Sequence, residues 1–377
     1  MLDLEDSVEN ALADQFPTVE EQIVEGISCG LDIQLAQYLR ETVNILKNVI
    51  EKGYDHWVIA YSGGKDSTLV ATIVIELLQR GVFPDSMRVE IVYGDTLVEI
   101  PPMLTFADKF LGRAKRIAEE ENLSIQVHKT IPPIWHRYWF LVIGKGYPPP
   151  HNRFRWCTDR LKILPTARLI KERKNENTVI LTGVRFGESD ARTGRLRNSA
   201  CTNDNECGMG LWIEKSSQMG TYFVAPIAHW RTCKVWDFHY FVAPQLGWPT
   251  MELGCLYGSD DNTRFGCWTC TLIREDKALA AVTEHKEWSH FKSLGHLREI
   301  LQTEARRPEN RLQRPNGYPG RLRISYRKAL LDRLRKLEKE VRTELITEDE
   351  IDAIHAYWET EEKYGPYSSQ CKFWRPG

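Results

Sequence analysis

No apolar run in this chain approaches the roughly 20 residues that a membrane-spanning helix needs. Its first residues, MLDLEDSVEN, lack both the basic and the apolar stretch of a secretory signal, so the expectation is a cytoplasmic protein with no membrane partner. A large net charge is also missing. The formal charge is −2 over 377 residues, which excludes a uniformly polycationic or polyanionic molecule. Internal repeats and long low-complexity tracts are absent, which removes solenoid and linker-like architectures. Nine cysteines is an odd number, so complete disulfide pairing is impossible, and in a cytoplasmic chain they point to metal or thiol chemistry. With 42% hydrophobic and 27% charged residues, the chain can fill one large core with appendages, or two ordinary ones.

What is present is an alternation of periodicities. Ile23, Ile27, Leu31, Leu35, Leu39, Leu46 and Ile50 recur at helical spacing, predicting a helix within 20–52. The apolar strand 57–61 then enters a glycine-rich turn, followed by a helix over 67–80 closed by Gly81. Strand 88–93 ends at Gly94-Asp95-Thr96, and helix 104–121 and strand 124–129 come next. Pro148-Pro149-Pro150 marks a loop before a helix over 158–174 and a strand over 178–183. This order predicts an α/β fold with a parallel sheet covered by helices, whose ligands bind beyond the carboxyl ends of the strands. After about 245 the sheet pattern gives way to a Cys-rich loop and then basic helices. We divide the chain into a helical segment 1–52, a core 53–245, a Cys-rich region 246–300 and a helical extension 301–377.

The turn Ser62-Gly63-Gly64-Lys65-Asp66-Ser67 carries the strongest chemical signal. Two glycines let the backbone bend tightly and approach a phosphate without a Cβ in the way. The N–H groups of the turn and of the following helix start point at the anion, Lys65 adds a cation, and Ser62 and Ser67 add hydroxyls. The GxxxxGK[ST] pattern is missing, so γ-phosphate transfer is not expected. Arg185 is suited to clamp phosphate, because guanidinium binds its oxygens bidentately.

SGGKDS resembles the PP-loop of the ATP pyrophosphatases, which cleave ATP between the α- and β-phosphates and adenylate a substrate. Together with Gly94-Asp95-Thr96, Cys157-Thr158-Asp159-Arg160-Leu161-Lys162 and Gly183-Val184-Arg185-Phe186-Gly187-Glu188-Ser189 with Arg192, it is similar to the phosphoadenosine phosphosulfate reductase group. The resemblance implies a Rossmann-like sheet of the adenine nucleotide alpha hydrolase type. It further implies that Arg185, Glu188 and Arg192 line the nucleotide site with the loop, and that Asp95 ends the second strand as its family counterpart does.

Cys267-Trp268-Thr269-Cys270 is a CxxC, with Cys255 before it and Cys157 far upstream. Alone, the motif is open between zinc, a redox dithiol and an iron–sulfur cluster. Cys201 and Cys207 form a second pair in a polar loop, and Cys29 and Cys233 read as small core residues. Cys371 stands where sulfonucleotide reductases carry a mobile catalytic cysteine, in a context that does not match theirs. The set Cys157, Cys255, Cys267 and Cys270 resembles the four-cysteine iron–sulfur site, expected as 4Fe–4S, of DNA phosphorothioation sulfurtransferases of the DndC type. That similarity runs from about 50 to about 340 and includes Gly320-Arg321-Leu322.

Between Ala305 and Arg342, 13 Lys or Arg stand against 4 Asp or Glu. Arg306, Arg307, Arg311, Arg314, Arg321, Arg323, Arg327, Lys328, Arg333, Arg335 and Lys336 make a candidate DNA-backbone contact, since neutralised phosphates release counterions. A solvated helical face is the alternative.

The expected activity is thus adenylation of a DNA phosphate oxygen followed by replacement with sulfur. ATP and Mg²⁺ are the expected cofactors, with Asp66 or Asp95 on the metal and Lys65 and Arg185 stabilising phosphate charge. The expected partners are DNA, a cysteine desulfurase that donates persulfide, and the other phosphorothioation subunits. The alternatives are a sulfonucleotide reductase, an RNA thiolation enzyme and an ATP-binding scaffold without turnover.

Overall fold

The structure, a computed structural model, describes residues 33–186, 213–216, 220–258, 265–314 and 317–375. The chain begins there with helix α1 (Ile33–Glu51), then runs β1 (His56–Tyr61), α2 (Lys65–Gln79), β2 (Arg88–Gly94), α3 (Pro101–Glu120) and β3 (Ile125–Thr130). After α4 (Leu164–Arg173) come β4 (Thr178–Leu181), β5 (Ile213–Ser216) and β6 (Thr221–Val224). The sheet order is β3-β2-β1-β4-β6-β5, with five strands parallel and β5 antiparallel to β6 at the edge. The α/β fold with a parallel sheet and helices is therefore as the sequence pattern implies. The chain steps outward from β1 to β3 and then crosses back to place β4 on the other side of β1. The carboxyl ends of β1 and β4 consequently flank the switch point, where open α/β sheets bind ligands.

Some boundaries differ from expectation. Helix α2 starts at Lys65, two residues early, because the glycine pair already completes the turn. The edge pair β5 and β6 has no counterpart in the sequence pattern. Each strand has four residues, too few to show a period of two against a polar background. The 20–32 part of the expected first helix lies outside the described residues.

Contacts divide the chain into two compact units that interleave along the sequence. The first is Met1–Ile91, Lys109–Val127 and Lys174–Met251; the second is Val92–Asp108, His128–Arg173 and Glu252–Gly377. In the first unit Trp57 is fully buried and meets Phe83 edge-on at 5.1 Å between ring centroids. Phe110 stacks on Tyr61 at 5.0 Å and on Trp248 at 4.7 Å. Helix α1 is tied down by Thr42, whose hydroxyl accepts from Trp230 Nε1 at 2.8 Å. The short helix α5 (Thr232–Asp237) follows β6 in this unit.

The second unit carries all but the first residue of α6 (Met251–Tyr257), α7 (Lys277–Glu284), α8 (Ser293–Thr303), the hairpin β7 (Arg311–Gln313) and β8 (Pro319–Leu322), and helices α9 (Ile324–Val341) and α10 (Glu348–Tyr364). The hairpin lies within the basic segment, ahead of α9. Helix α10 packs on a wide π turn at Phe140–Gly144, where Trp358 Nε1 donates to Ile143 O at 3.1 Å. Arg327 is fully buried and forms a 2.5 Å ion pair with Glu361.

Glu350 is buried beneath the same turn and accepts the Phe140 N–H at 2.8 Å. Burial pushes its carboxyl up to about 7, opposed by the Phe140 N–H and by Arg137. The folded protein thus holds this proton more tightly than the unfolded chain, whose carboxyl titrates near 4.5. The stability it contributes is full below about 4.5 and is lost as pH rises through about 7. Glu350→Gln keeps the acceptor without the charge. Denaturation across pH 4–8 should show the variant gaining up to about 3 kcal/mol on the parent as pH rises. A constant difference would place the carboxyl outside this linkage.

Candidate functional site

The loop after β1 is braced internally. The Ser62 N–H donates to Ser67 Oγ at 3.1 Å, Ser67 Oγ donates to Gly64 O at 3.0 Å, and the two serine hydroxyls lie 3.0 Å apart. The serines, expected as phosphate donors, therefore hold the turn in shape. Gly63 has φ +76, a left-handed conformation that glycine adopts without strain. Helix α2 begins with Gly64 as its cap and no side chain caps it. First-turn N–H groups have no acceptor within their helix, so an uncapped start offers its donors and positive dipole end to an anion.

Behind the loop stands a chain of charges. Lys65 Nζ lies 3.2 Å from Asp66 Oδ2, and Arg185 Nε donates to Asp66 Oδ1 at 2.6 Å. Arg185 is buried and also gives Nη1 to Trp230 O at 3.0 Å and to Thr232 Oγ1 at 3.3 Å. Arg185 is thus a positioning residue, which fixes Asp66 and through it Lys65. Gly183, just past β4, makes this possible. A Cβ there would stand 2.7 Å from both Asp66 C and Ser67 N, so β4 can approach the loop this closely only with glycine.

His239 completes the support. It lies in a π turn, Phe238–Val242, after α5, and its Nε2 donates to Lys65 O at 2.7 Å. Burial lowers its pKa to about 4, so the ring is neutral, with the proton on Nε2. No motif marks this histidine in the sequence, because 174 residues separate it from Lys65.

In the second unit, Asp95 is buried. Its Oδ1 accepts the Leu97 N–H at 2.7 Å and its Oδ2 pairs with Lys129 at 3.1 Å. Asp66 and Asp95, the expected magnesium contacts, thus have their oxygens taken by cations or N–H groups. As arranged they do not fit a magnesium ion.

Cys157 caps the π turn Thr158–Ile163, and Cys267 forms a β-bridge with Glu99 beside the 3.0 Å bond from the Trp268 N–H to Val98 O. Thr96 Oγ1 lies 3.4 Å from Cys267 Sγ, and Lys162 pairs with Glu99 at 3.1 Å. Burial, then Glu99, pushes the Cys267 thiol up to about 12, and burial also raises Cys157. Cys157, Cys267 and Cys270 share one electrostatic neighbourhood around buried Tyr138, and Trp268 and Trp139 shield it at 5.7 Å between rings. Cys255 is exposed on α6. Among the described residues no three or more His, Cys, Asp or Glu side chains stand close enough to hold a metal ion. The four cysteines sit on three separate elements, with Cys255 exposed.

The model of the phosphoadenosine phosphosulfate reductase domain matches residues 56–273, more than half of the chain. The chain belongs to this family. Among curated proteins, the uncharacterized protein MJ0066 of Methanocaldococcus jannaschii is 25% identical over 201 residues, which is 53% of this chain and 35% of that protein. The match thus spans about a third of that relative's length. Among solved structures, a phosphoadenylyl-sulfate reductase from Candida auris in a phosphate complex overlaps 64% of this chain and 98% of its own, at 14% identity and a TM-score of 0.37.

Within this phosphoadenosine phosphosulfate reductase domain, Ser62, Gly63, Gly64, Lys65, Asp66, Ser67 and Arg185 come together in the first unit. Glu188, Arg192, Cys29, Cys201 and Cys207 lie outside the described residues. Cys233, expected in a core, is exposed. Cys371 is fully buried on the short helix α11 (Ser369–Lys372), where its N–H donates to Ser368 Oγ at 3.3 Å. No helix of the described residues is long and apolar enough to cross a membrane.

Proposed function

We propose that this family member is an ATP pyrophosphatase and sulfurtransferase that adenylates a DNA backbone phosphate, so that sulfur replaces a non-bridging oxygen. The observation that carries this reading is the braced loop at the switch point, with an uncapped helix start and Lys65 set by Asp66 and Arg185. A phosphate oxygen of the substrate attacks the α-phosphorus of ATP, and pyrophosphate leaves. The helix N–H groups and Lys65 hold the charge that gathers on the departing phosphates. A persulfide sulfur from a cysteine desulfurase then displaces AMP, and a thiol cleaves the sulfur–sulfur bond, leaving sulfur on phosphorus.

The burial of Cys371 favours this reading over a sulfonucleotide reductase, which needs a mobile cysteine to attack its substrate. An iron–sulfur cluster on Cys157, Cys255, Cys267 and Cys270 belongs to the same reading as a resident group, which would add structural rigidity or sulfur handling.

The test combines ATP, DNA and a persulfide-loaded desulfurase, and follows pyrophosphate, AMP and labelled sulfur in nuclease-digested dinucleotides. Sulfur in the DNA together with one AMP per sulfur is expected. Thiol-dependent sulfite release from a sulfonucleotide would transfer the chain to the reductase reading. Protein purified anaerobically should carry iron and sulfide and absorb broadly in the visible; a colourless, iron-free protein withdraws the cluster.

A further inference from the structure

The second unit contains a cavity of about 760 Å³ whose lining includes none of the phosphate-loop residues. This lies within the range of small-molecule sites, about 300–1,000 Å³. One wall is the proline loop. Trp156 Nε1 holds Pro148 O at 3.0 Å and Thr271 Oγ1 holds Pro150 O at 2.5 Å, so the wall is pinned at two points. The other wall is the β7–β8 hairpin.

Cations and rings make up most of its lining: Arg311, Arg314 and Arg321 stand with His151, Tyr147, Phe154 and Tyr367. Among the described residues no carboxylate lines it. Among the described residues no acid pairs with any of these three arginines, whereas Arg327 is paired with Glu361, Arg333 with Glu304, and Arg335 with Glu338 and Glu348. Arg311 is set in place by Nε donating to Gly320 O at 2.8 Å. Arg321 gives Nη1 to Tyr357 Oη at 2.7 Å and lies over the Tyr367 ring at 5.3 Å. Arg160 lies over Tyr147 at 5.8 Å. Phe154 is 40% and Tyr367 51% exposed. The surrounding field is strongly positive: burial and then Arg306, Arg311 and Arg153 depress His151, and burial with Arg375, Arg160 and Arg321 brings Lys145 down to about 8.

We infer that this cavity binds one unpaired nucleoside phosphate, its phosphate between Arg311, Arg314 and Arg321 and its base against Tyr147, Phe154 or Tyr367. Arginine interleaved with aromatic rings suits a single strand, because every base presents a stackable face while the backbone supplies the anion. A duplex buries those faces. The inference rests on the DNA-modifying reading only in drawing the nucleotide from a strand, which the enzyme would then hold locally unpaired.

The experiment measures fluorescence anisotropy of a labelled 12-nucleotide oligothymidylate, its duplex with oligoadenylate, and competition by thymidine 5′-monophosphate, on the full chain at several salt concentrations. The single strand should bind more tightly than the duplex. Arg314→Ala should weaken it about tenfold and lower the salt slope by about one, whereas Phe154→Ala should weaken it about tenfold with the slope unchanged. Melting curves of both variants check that each is folded. Competition by the monophosphate that Arg314→Ala abolishes would support the cavity with free nucleotide as its source. Equal binding by the folded variants, or preference for duplex, overturns the inference. Pyrophosphate release by the parent is read separately: strand binding without it would keep the cavity and reject the adenylation reading.

Discussion

Lys65→Ala is expected to reduce pyrophosphate release from ATP by on the order of 10²–10³-fold, the effect of removing one preorganised charge donor from a developing anion. Lys65 is buried and its ammonium is placed by Asp66, so no neighbouring side chain can swing into its position at no cost. Its fold should survive, since Asp66 retains Arg185 at 2.6 Å. Asp66→Ala should behave differently. It leaves the buried Arg185 without its carboxylate, so activity falls and stability falls with it, by about 3–5 kcal/mol if the pair behaves as other broken buried pairs do. Arg185 keeps Trp230 O and Thr232, which places the expected loss at the low end. Lys65→Arg should not restore the rate, because a planar fork does not occupy the space of a compact ammonium. Steady-state pyrophosphate release and chemical denaturation on the same three variants separate these outcomes. A Lys65→Ala enzyme of unchanged rate would remove the loop from the chemistry.

Gly183→Ala is expected to weaken ATP binding by at least tenfold. The added Cβ would meet Asp66 C and Ser67 N at 2.7 Å, and both are backbone atoms that cannot rotate away. Either β4 retreats or the start of α2 moves. A retreat of β4 draws Arg185 away from Asp66, and a shift of α2 disturbs the first-turn N–H groups. Overpacking of this kind costs about 1–3 kcal/mol of stability. Calorimetric titration with ATP and a thermal melt would show both effects. Wild-type affinity with a lowered melting temperature would mean that the close approach serves folding alone.

These two predictions differ in how visible their residues are in the sequence. The phosphate loop is local: strand, glycine pair, lysine and helix follow within a dozen residues, and backbone sterics turn that order into one shape. Gly183 and Arg185 can be noted in the sequence, but their roles depend on β4 lying beside β1. Arg185 meets Asp66 across 119 residues, a partner that its own chemistry does not point to. His239 carries no signal at all. The cysteines show the same limit: spacing marks Cys267 and Cys270 as a pair, yet whether Cys157 and Cys255 join them is a matter of packing.

The basic segment makes the point most directly. Counting charges groups Arg327, Arg333 and Arg335 with Arg311, Arg314 and Arg321. The fold separates them, burying Arg327 against Glu361, neutralising Arg333 and Arg335 with acids from other elements, and turning the remaining three toward one cavity.

By itself, then, the sequence determined the α/β alternation, the glycine-rich turn after the first strand and the family, because each depends on residues close together along the chain. Tertiary structure alone decided which charges are paired, which thiols are neighbours and which arginines line the cavity. Those properties depend on distances across the fold, and electrostatic energy and desolvation respond to distance and burial, not to sequence order.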